Sequence, residues 1–312
     1  MMKKFLLSLL KAAVYTGVFL GIQIIVTLIL SVGAAFYEEI RRAVTGEIRG
    51  ELDIMGNIVS WVTVISCLLT LLFLLFVFAV RGKSFSAEVR WHKLPSAGRA
   101  TLGPLECGFG LSILSSFVLA LIPFPEAWYA TYDESMEMML AGDPLFLAIA
   151  TVLAAPIVEE VIFRGLVYTR LCRGMKRWLA ALVSALIFGL VHGTLLHLVF
   201  TVPMGLVLCL FYEKYRSLWA PILLHMSFNL AGSVLGYYNI ESPVVVIVLI
   251  AAGFYLTVIG LLSMRWYRRD YLPQPTAPIL PVTEQVTVDA IVSESPAAEA
   301  EPTDGTDDTT MF

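Results

Sequence analysis

The stretch IVSWVTVISCLLTLLFLLFVFAV, residues 58–80, contains no Asp, Glu, Lys or Arg, and it decides the fold class of the chain. A helix of about 20 apolar residues crosses the roughly 30 Å hydrocarbon core of a bilayer. Two further runs of this kind occupy residues 12–36 and 244–264. With 58% hydrophobic and only 15% charged residues, the chain has the composition of a polytopic membrane protein rather than of a soluble domain.

The apolar runs together predict an all-α fold, a polytopic membrane helical bundle of about eight transmembrane helices. The expected spans are residues 12–36, 58–80, 103–123, 145–168, 178–194, 197–213, 218–237 and 243–264. The first residues, MMKKFLLSLLK, resemble a signal peptide. However, no A-x-A-like cleavage site follows, and we therefore expect a retained first membrane helix.

Lys and Arg residues concentrate in alternate loops between the predicted spans, whereas the loop 124–144 has none. Cytoplasmic loops of membrane proteins carry an excess of these residues. We therefore expect a multi-pass protein of the cell membrane with both termini in the cytoplasm. Trp128 and Tyr129 suit an interfacial position for the outer loop 124–144.

Composition divides the chain into four parts. Residues 1–144 hold the N-terminal transmembrane helices and loops, residues 145–237 the core helices, and residues 238–269 the last transmembrane helix. The tail, residues 270–312, is acidic and rich in Pro and Thr, and we expect it to be disordered and cytoplasmic. Because the tail has no basic patch, nucleic acid is not an expected partner.

The stretch APIVEEVIFRG, residues 155–165, places two glutamates and an arginine inside a predicted span. Glu160 and Arg164 are four residues apart, so they share a helix face and can form a structural ion pair. Glu159 points about 100° away from Glu160, and no basic residue lies one turn from it. We therefore expect Glu159 to need a partner on another helix, a proton, a metal ion or water. An ionisable residue inside the membrane is a functional-site hypothesis by default.

Two later stretches, FGLVHG and HMSFN, add polar residues to two more predicted spans. Phe188 lies one turn before His192 on one helix face, and His225 lies one turn before Asn229 on another. Taken alone, His192 also fits a packed interior histidine, and the pair His225 and Asn229 also fits polar contacts between helices. Together with Glu159, they place one carboxylate, two imidazoles and one carboxamide on three spans.

These four residues, Glu159, His192, His225 and Asn229, support two chemistries. A glutamate and a histidine can take a proton from water. A second histidine and an asparagine can then hydrogen-bond the oxyanion that forms when water attacks an amide carbonyl. Glu159, His192 and His225 are equally a known type of zinc ligand set that leaves a fourth position for water. Both alternatives predict hydrolysis without a covalent intermediate, and the sequence leaves them open. By contrast, His197 is expected at a membrane face as an interfacial residue.

Other protease signatures are missing from the sequence. It contains no H-E-x-x-H, no G-x-G-D and no G-x-S-x-G. The three stretches EEVIFRG, FGLVHG and HMSFN instead resemble the motifs of the CPBP family, which includes CAAX prenyl protease 2 (Rce1-like) and the bacteriocin-processing ABI proteins. The pattern E-E-x-x-x-R, F-x-x-x-H and H-x-x-x-N occurs here in order, over about residues 145–237.

The resemblance implies an α-helical intramembrane endopeptidase, of a type commonly labelled metalloprotease, with zinc as the candidate cofactor. Carried over by motif, Glu159 would activate water with help from His192. His225 and Asn229 would form the oxyanion site or bind metal. The residues implied to support the site structurally are Glu160, Arg164 and Phe188.

The first hypothesis is therefore a CPBP-family protease that hydrolyses a peptide bond by Glu/His-activated water. Its expected partners are the lipid bilayer and a substrate that is a peptide or a membrane-associated protein. The alternative is a non-catalytic bacteriocin-immunity or peptide-binding membrane protein that uses the same cavity. A third hypothesis is a proton- or solute-coupled transporter, because intramembrane Glu and His also form proton relays. No internal repeat of the kind often found in transporters is visible.

Overall fold

The computed structural model describes residues 2–46, 51–92, 94, 98–236, 238, 240 and 242–266. These residues form helices and no β-strand, which confirms the all-α class predicted from the apolar runs. The predicted acidic tail, residues 270–312, lies outside the described residues. The helices, numbered in chain order, are α1 (Met2–Thr45), α2 (Glu51–Val80), α3 (Phe85–Val89), α4 (Arg99–Leu121), α5 (Glu126–Leu140), α6 (Pro144–Leu171), α7 (Arg177–Leu190), α8 (Leu195–Tyr215), α9 (Trp219–Gly236) and α10 (Pro243–Trp266).

Six of the described helices, α1, α2, α4, α6, α8 and α10, are long and apolar enough to cross a membrane. The protein is therefore an integral membrane bundle, as predicted. The other two expected spans also form helices, α7 and α9. However, α7 has 14 residues, about 21 Å at about 1.5 Å per residue, which is shorter than the roughly 30 Å hydrocarbon core. The count of eight membrane-crossing helices stays a prediction.

Helix α6 is not a regular α-helix around the two glutamates. A short α-helical segment, Ala155–Glu160, lies between two π-helical segments, Ile149–Ala154 and Val161–Tyr168. Pro156, which has no N–H to donate, is at the beginning of the middle segment. Single π-helical turns inside α-helices occur frequently at functional sites, and here two π-helical segments flank the segment that contains both glutamates.

Helix α4 packs directly against α9 and α10 at glycines. A Cβ atom added to Gly108 would lie 2.1 Å from the carbonyl oxygen of Leu224 in α9. A Cβ atom added to Gly110 would lie 2.5 Å from the carbonyl oxygen of Gly253 in α10. Only a hydrogen atom fits at such distances, so the backbones are in contact, as small residues allow in membrane bundles. This contact fixes the position of α9.

The segment 124–144, predicted as an interfacial outer loop, contains the short helix α5. The hydroxyl of Tyr129 donates a hydrogen bond to the carbonyl of Ile122 at 2.8 Å, which ties α5 to the end of α4. The ring of Tyr132 lies 4.9 Å, centroid to centroid, from the ring of His197. Helix α5 thus reaches the beginning of α8, close to the turn that follows α7.

Candidate active site

The predicted pair of Glu160 and Arg164 is confirmed, and both side chains are fully buried. Oε1 of Glu160 lies 2.6 Å from Nη1 of Arg164. The guanidinium also lies 4.3 Å above the ring of Phe188 in α7, and its Nη2 donates a long hydrogen bond of 3.4 Å to the carbonyl of Gly205 in α8. A buried charge is expensive unless it is paired. Arg164 is held by a carboxylate, an aromatic face and a backbone carbonyl from three helices.

Glu160 also contacts α9. Its Oε1 atom lies 2.9 Å from Nδ1 of His225. Because the ion-paired carboxylate accepts, Nδ1 carries the hydrogen of this bond. The partner of one ring nitrogen decides the protonation and orientation of the other. Glu160 therefore orients the imidazole of His225 so that Nε2 points away from the Arg164 pair.

Glu159 lies on the other side of the same imidazole. Its Oε2 atom is 3.7 Å from Nε2 of His225, and its side chain is 16% exposed, whereas the side chain of Glu160 is 0% exposed. The sequence predicted that Glu159 would need a partner on another helix, a proton, a metal ion or water, and His225 of α9 is its neighbour on another helix. The distance is an electrostatic contact rather than a direct hydrogen bond. Glu159 is thus the accessible carboxylate of the pair.

His192 lies in the turn that follows α7 and belongs to the same aromatic cluster. Its Nδ1 atom is 2.7 Å from the carbonyl oxygen of Phe188. Since a carbonyl only accepts, Nδ1 carries the hydrogen, and the neutral ring has a free lone pair on Nε2. The ring of Phe188 packs edge-on against His192 at 4.7 Å and against His225 at 5.8 Å. Phe188 therefore separates and supports both histidines and Arg164.

Asn229 lies one turn after His225 on α9. Its Nδ2 atom donates a hydrogen bond of 2.8 Å to the carbonyl of Thr151, which lies in the first π-helical segment of α6. This hydrogen bond is a polar contact between two helices, which is one of the two interpretations that the sequence left open for His225 and Asn229. The carboxamide keeps a second N–H, because each amide NH₂ group has two donors.

The surroundings of His197 are the main feature that the sequence did not reveal. The interfacial position expected for His197 stays a prediction; its ring lies 6.0 Å from that of His192 and packs on Tyr132. The hydroxyl of Thr194 caps α8 by accepting from the His197 amide at 3.2 Å, and it lies 2.7 Å from Nδ1 of the same residue. Burial, together with the neighbouring Asp133 carboxylate, raises the pKa of Tyr132, so its phenol stays protonated. The short spacing of His192, Thr194 and His197 was the available signal.

The zinc set proposed from the sequence is not assembled among the described side chains. They contain no group of three or more His, Cys, Asp or Glu residues placed to hold a metal ion. Oε2 of Glu159 and Nε2 of His225 lie 3.7 Å apart, but His192 does not join them in such a group. Two protein ligands are fewer than the three that catalytic zinc sites use. The donor set among the described residues therefore does not fit a catalytic zinc ion.

The comparisons with known proteins concern the middle of the chain. Residues 141–231 match the family described as "Type II CAAX prenyl endopeptidase Rce1-like". This segment contains all three motifs and therefore confirms the resemblance predicted from them. No solved structure matches the chain.

Two individual proteins are also similar to the chain. One, from Bacillus subtilis (strain 168), has the name "Putative membrane peptidase YdiL"; it is 28% identical over 125 residues, which cover 39% of this chain and 51% of that protein. The other, from Lactococcus lactis subsp. lactis (strain IL1403), has the name "UPF0177 protein YbdI"; it is 33% identical over 86 residues, 27% of this chain and 46% of that protein. The chain thus spans about half the length of these relatives.

Proposed function

Because residues 141–231 match the Rce1-like family, we propose that this membrane protein is an intramembrane endopeptidase that uses water as its nucleophile. The observation that carries the proposal is the arrangement around His225. A partly exposed carboxylate, Glu159, lies beside Nε2, and a buried, ion-paired carboxylate, Glu160, holds Nδ1. One carboxylate is thus free to react while the other fixes the imidazole.

In the proposed reaction, Glu159 takes a proton from a water molecule, and the water oxygen attacks the carbonyl carbon of the scissile amide. General bases of this kind contribute typically about 10²–10⁴-fold to a rate. His192 assists, since its free Nε2 lone pair can accept a proton while Nδ1–H stays bonded to Phe188. The carboxylate is partly exposed, which is what a group that must meet water requires.

The oxyanion of the tetrahedral intermediate is stabilised by His225 and Asn229. When both ring nitrogens are protonated, His225 donates to Glu160 through Nδ1 and to the oxyanion through Nε2. Asn229 keeps one N–H for the oxyanion, because the other is donated to Thr151. Donors fixed before the reaction stabilise the developing charge without reorganisation. The proton held by Glu159 then passes to the amide nitrogen, and the C–N bond breaks.

The proposed substrate class is a peptide or a membrane-associated protein that reaches the site from the bilayer. The three motif helices lie within a bundle of membrane-crossing helices, so a substrate segment must be apolar enough to enter it. The distribution of Lys and Arg supports a position in the cell membrane with both termini in the cytoplasm. We propose this orientation together with the activity.

The test is an analysis of new peptide termini by mass spectrometry. The full-length protein, its Glu159→Gln variant and its Glu106→Gln variant are expressed in the same cells, and membrane-fraction peptides are compared. Glu106 is a suitable control because it is another carboxylate within a membrane-crossing helix, α4. We expect cleavage products with the original protein and with Glu106→Gln but not with Glu159→Gln. The absence of new termini from all three samples, compared with cells that lack the protein, would contradict peptidase activity and favour a protein that only binds peptides. The same new termini in all three samples would instead contradict the role of Glu159.

A further inference from the structure

A second polar site lies about three turns beyond Glu160, at the end of α6 where basic residues gather. It is a cavity of about 250 Å³ between α3, the end of α6 and the end of α8. We call it the arginine cavity, and its polar lining residues are Glu88, Arg90, Thr169, Arg173, Arg177 and Glu213. One buried water needs only about 10–15 Å³ measured in the same way, so the cavity is large enough for a polyatomic ligand.

The charges in the arginine cavity do not balance. Glu88 is shared by two arginines: it contacts Arg170, and its Oε1 atom lies 2.9 Å from Nη2 of Arg173. Burial alone would raise the pKa of Glu88, but these two guanidiniums lower it below its usual value, so the carboxylate is ionised near neutral pH. Glu213 is likewise shared by two arginines. One is Arg90, whose Nη1 atom lies 3.2 Å from Oε1 of Glu213, and the other is Arg177.

The second arginine that contacts Glu213 is Arg177, whose Nη1 atom lies 3.3 Å from Oε2 of the carboxylate. The three arginines of the lining, together with Arg170 outside it, therefore share two carboxylates, which leaves an excess of two positive charges. The excess is accessible, because the side chain of Arg173 is 61% exposed and that of Arg177 is 73% exposed. Surface ion pairs of this kind contribute little stability, so both arginines are available to a stronger anionic partner.

Helix α3 and the residues that follow it form one wall of the arginine cavity. Hydrogen bonds attach this wall to the rest of the bundle. The amide of Leu218 donates to the carbonyl of Arg90 at 2.9 Å, and the hydroxyl of Ser217 donates to the carbonyl of His92 at 2.5 Å. Arg90 itself has a left-handed backbone with a φ of 57°, a conformation that needs such support. The site therefore exists before any ligand binds, which lowers the entropic cost of binding.

The guanidinium of Arg90 is also placed by an aromatic ring. It lies 4.8 Å from the ring centroid of Tyr212, which restrains its plane. A planar guanidinium presents its N–H groups as a fork that matches phosphate oxygens. One restrained arginine and two exposed ones thus face the same cavity, a combination suited to a tetrahedral anion.

We infer that the arginine cavity binds the phosphate group of an anionic phospholipid headgroup. The excess of two positive charges complements a phosphate, and the cavity is below the roughly 300–1,000 Å³ of ordinary ligand pockets, which suits a headgroup rather than a peptide. Basic pockets between membrane helices bind lipid headgroups elsewhere. Free phosphate offers the same chemistry, and the experiment distinguishes the two sources. This binding is separate from the proposed peptide hydrolysis.

The experiment uses the purified full-length protein in detergent and measures bound lipid by native mass spectrometry. Phosphatidylglycerol and phosphatidylcholine with the same acyl chains are titrated separately, and inorganic phosphate is added in a third series. The test variant carries Arg173→Gln and Arg177→Gln. The matched control carries Arg81→Gln and Arg265→Gln, which remove the same charge from two exposed arginines outside the cavity lining.

We expect phosphatidylglycerol to bind at least ten-fold more weakly to the test variant, with less than a two-fold change in the control. Phosphatidylcholine should bind both variants and the original protein equally. Equal losses in the test variant and the control would overturn the proposal, as would no loss in either. Phosphate that displaces the lipid and itself binds the original protein but not the test variant would support the anion site and overturn the lipid as its source.

Discussion

Glu159 and Glu160, adjacent in the chain, approach opposite nitrogens of the same imidazole. Oε2 of Glu159 is 3.7 Å from Nε2 of His225, and Oε1 of Glu160 is 2.9 Å from Nδ1. Two successive helical residues differ by about 100° in direction, so one backbone segment can place carboxylates on two sides of a ring supplied by another helix. The two glutamates should therefore differ in what their loss does to the protein.

Glu160→Gln should destabilise the bundle. The amide keeps the shape of the side chain but leaves Arg164 buried and without its counter-charge. Removing one partner of a buried ion pair typically costs about 3–5 kcal/mol. Thermal unfolding of the purified variant in detergent should show a markedly lower Tm. An unchanged Tm would contradict a stabilising role for the pair.

Glu159→Gln should abolish activity without this loss of stability. The side chain is partly exposed and has only the 3.7 Å contact with His225, so the neutral amide leaves no buried charge unpaired. Removal of a general base should lower the rate of peptide cleavage by about 10²–10⁴-fold. A variant that cleaves at the original rate would exclude Glu159 as the base, whatever its Tm.

Phe188→Leu should affect catalysis more than stability. Its ring contacts Arg164, His192 and His225, and leucine fills much of the volume without providing the flat faces. Phe211 is the control, because it is equally buried but packs in a different cluster of core residues from Phe188. Both leucine variants should lose less than the roughly 3–5 kcal/mol of a Phe→Ala change.

Only Phe188→Leu should also lower kcat for peptide cleavage, which is measured at saturating substrate. If Phe211→Leu lowers kcat to the same extent, the loss of activity reflects general packing of the core. The specific role of the Phe188 ring would then be wrong.

Gly108→Ala should separate α4 from α9. The added methyl group would lie 2.1 Å from the carbonyl oxygen of Leu224, and overpacking of a tight contact costs typically about 1–3 kcal/mol. Gly17→Ala in α1 is the control, since nothing lies within 4 Å of its added Cβ. A helical Gly→Ala change without a clash is favourable by up to about 1 kcal/mol.

Thermal unfolding of the two alanine variants gives the comparison. We expect a lower Tm for Gly108→Ala and an equal or higher Tm for Gly17→Ala. If both variants match the original protein, the backbones of α4 and α9 are not in the close contact described above.

The contacts that could be predicted from the sequence are those within one helix. The pair of Glu160 and Arg164 follows from their spacing of four residues, and so does the shared face of Phe188 and His192. The contact between Glu160 and His225 could not be predicted, because it depends on the register of α9 relative to α6 in the folded bundle. The π-helical segments of α6 and the close packing of α4 on α9 at Gly108 have no periodic signal in the sequence either.

The ring contacts of His197 could not be predicted for a related reason. Its ring packs on Tyr132, a residue of α5 that is distant in sequence and lies in a segment predicted to be a loop. The helix α5 is rich in acidic and aromatic residues, so hydropathy does not indicate that it reaches α8. Contacts between elements that are distant in sequence depend on the tertiary arrangement, which local patterns do not encode.

Removal of metal ions should leave peptide cleavage unchanged. The zinc set considered from the sequence required Glu159, His192 and His225 at one point, but the described residues contain no group of three such ligands. Water activation by Glu159 needs no metal ion in the reaction proposed above. The protein should therefore keep its activity after dialysis against a chelator, and its zinc content by elemental mass spectrometry should be well below one ion per chain. Loss of activity with the chelator, restored by zinc but not by magnesium, would show that His192 moves to complete a metal site, and the metal-free reaction would then be wrong.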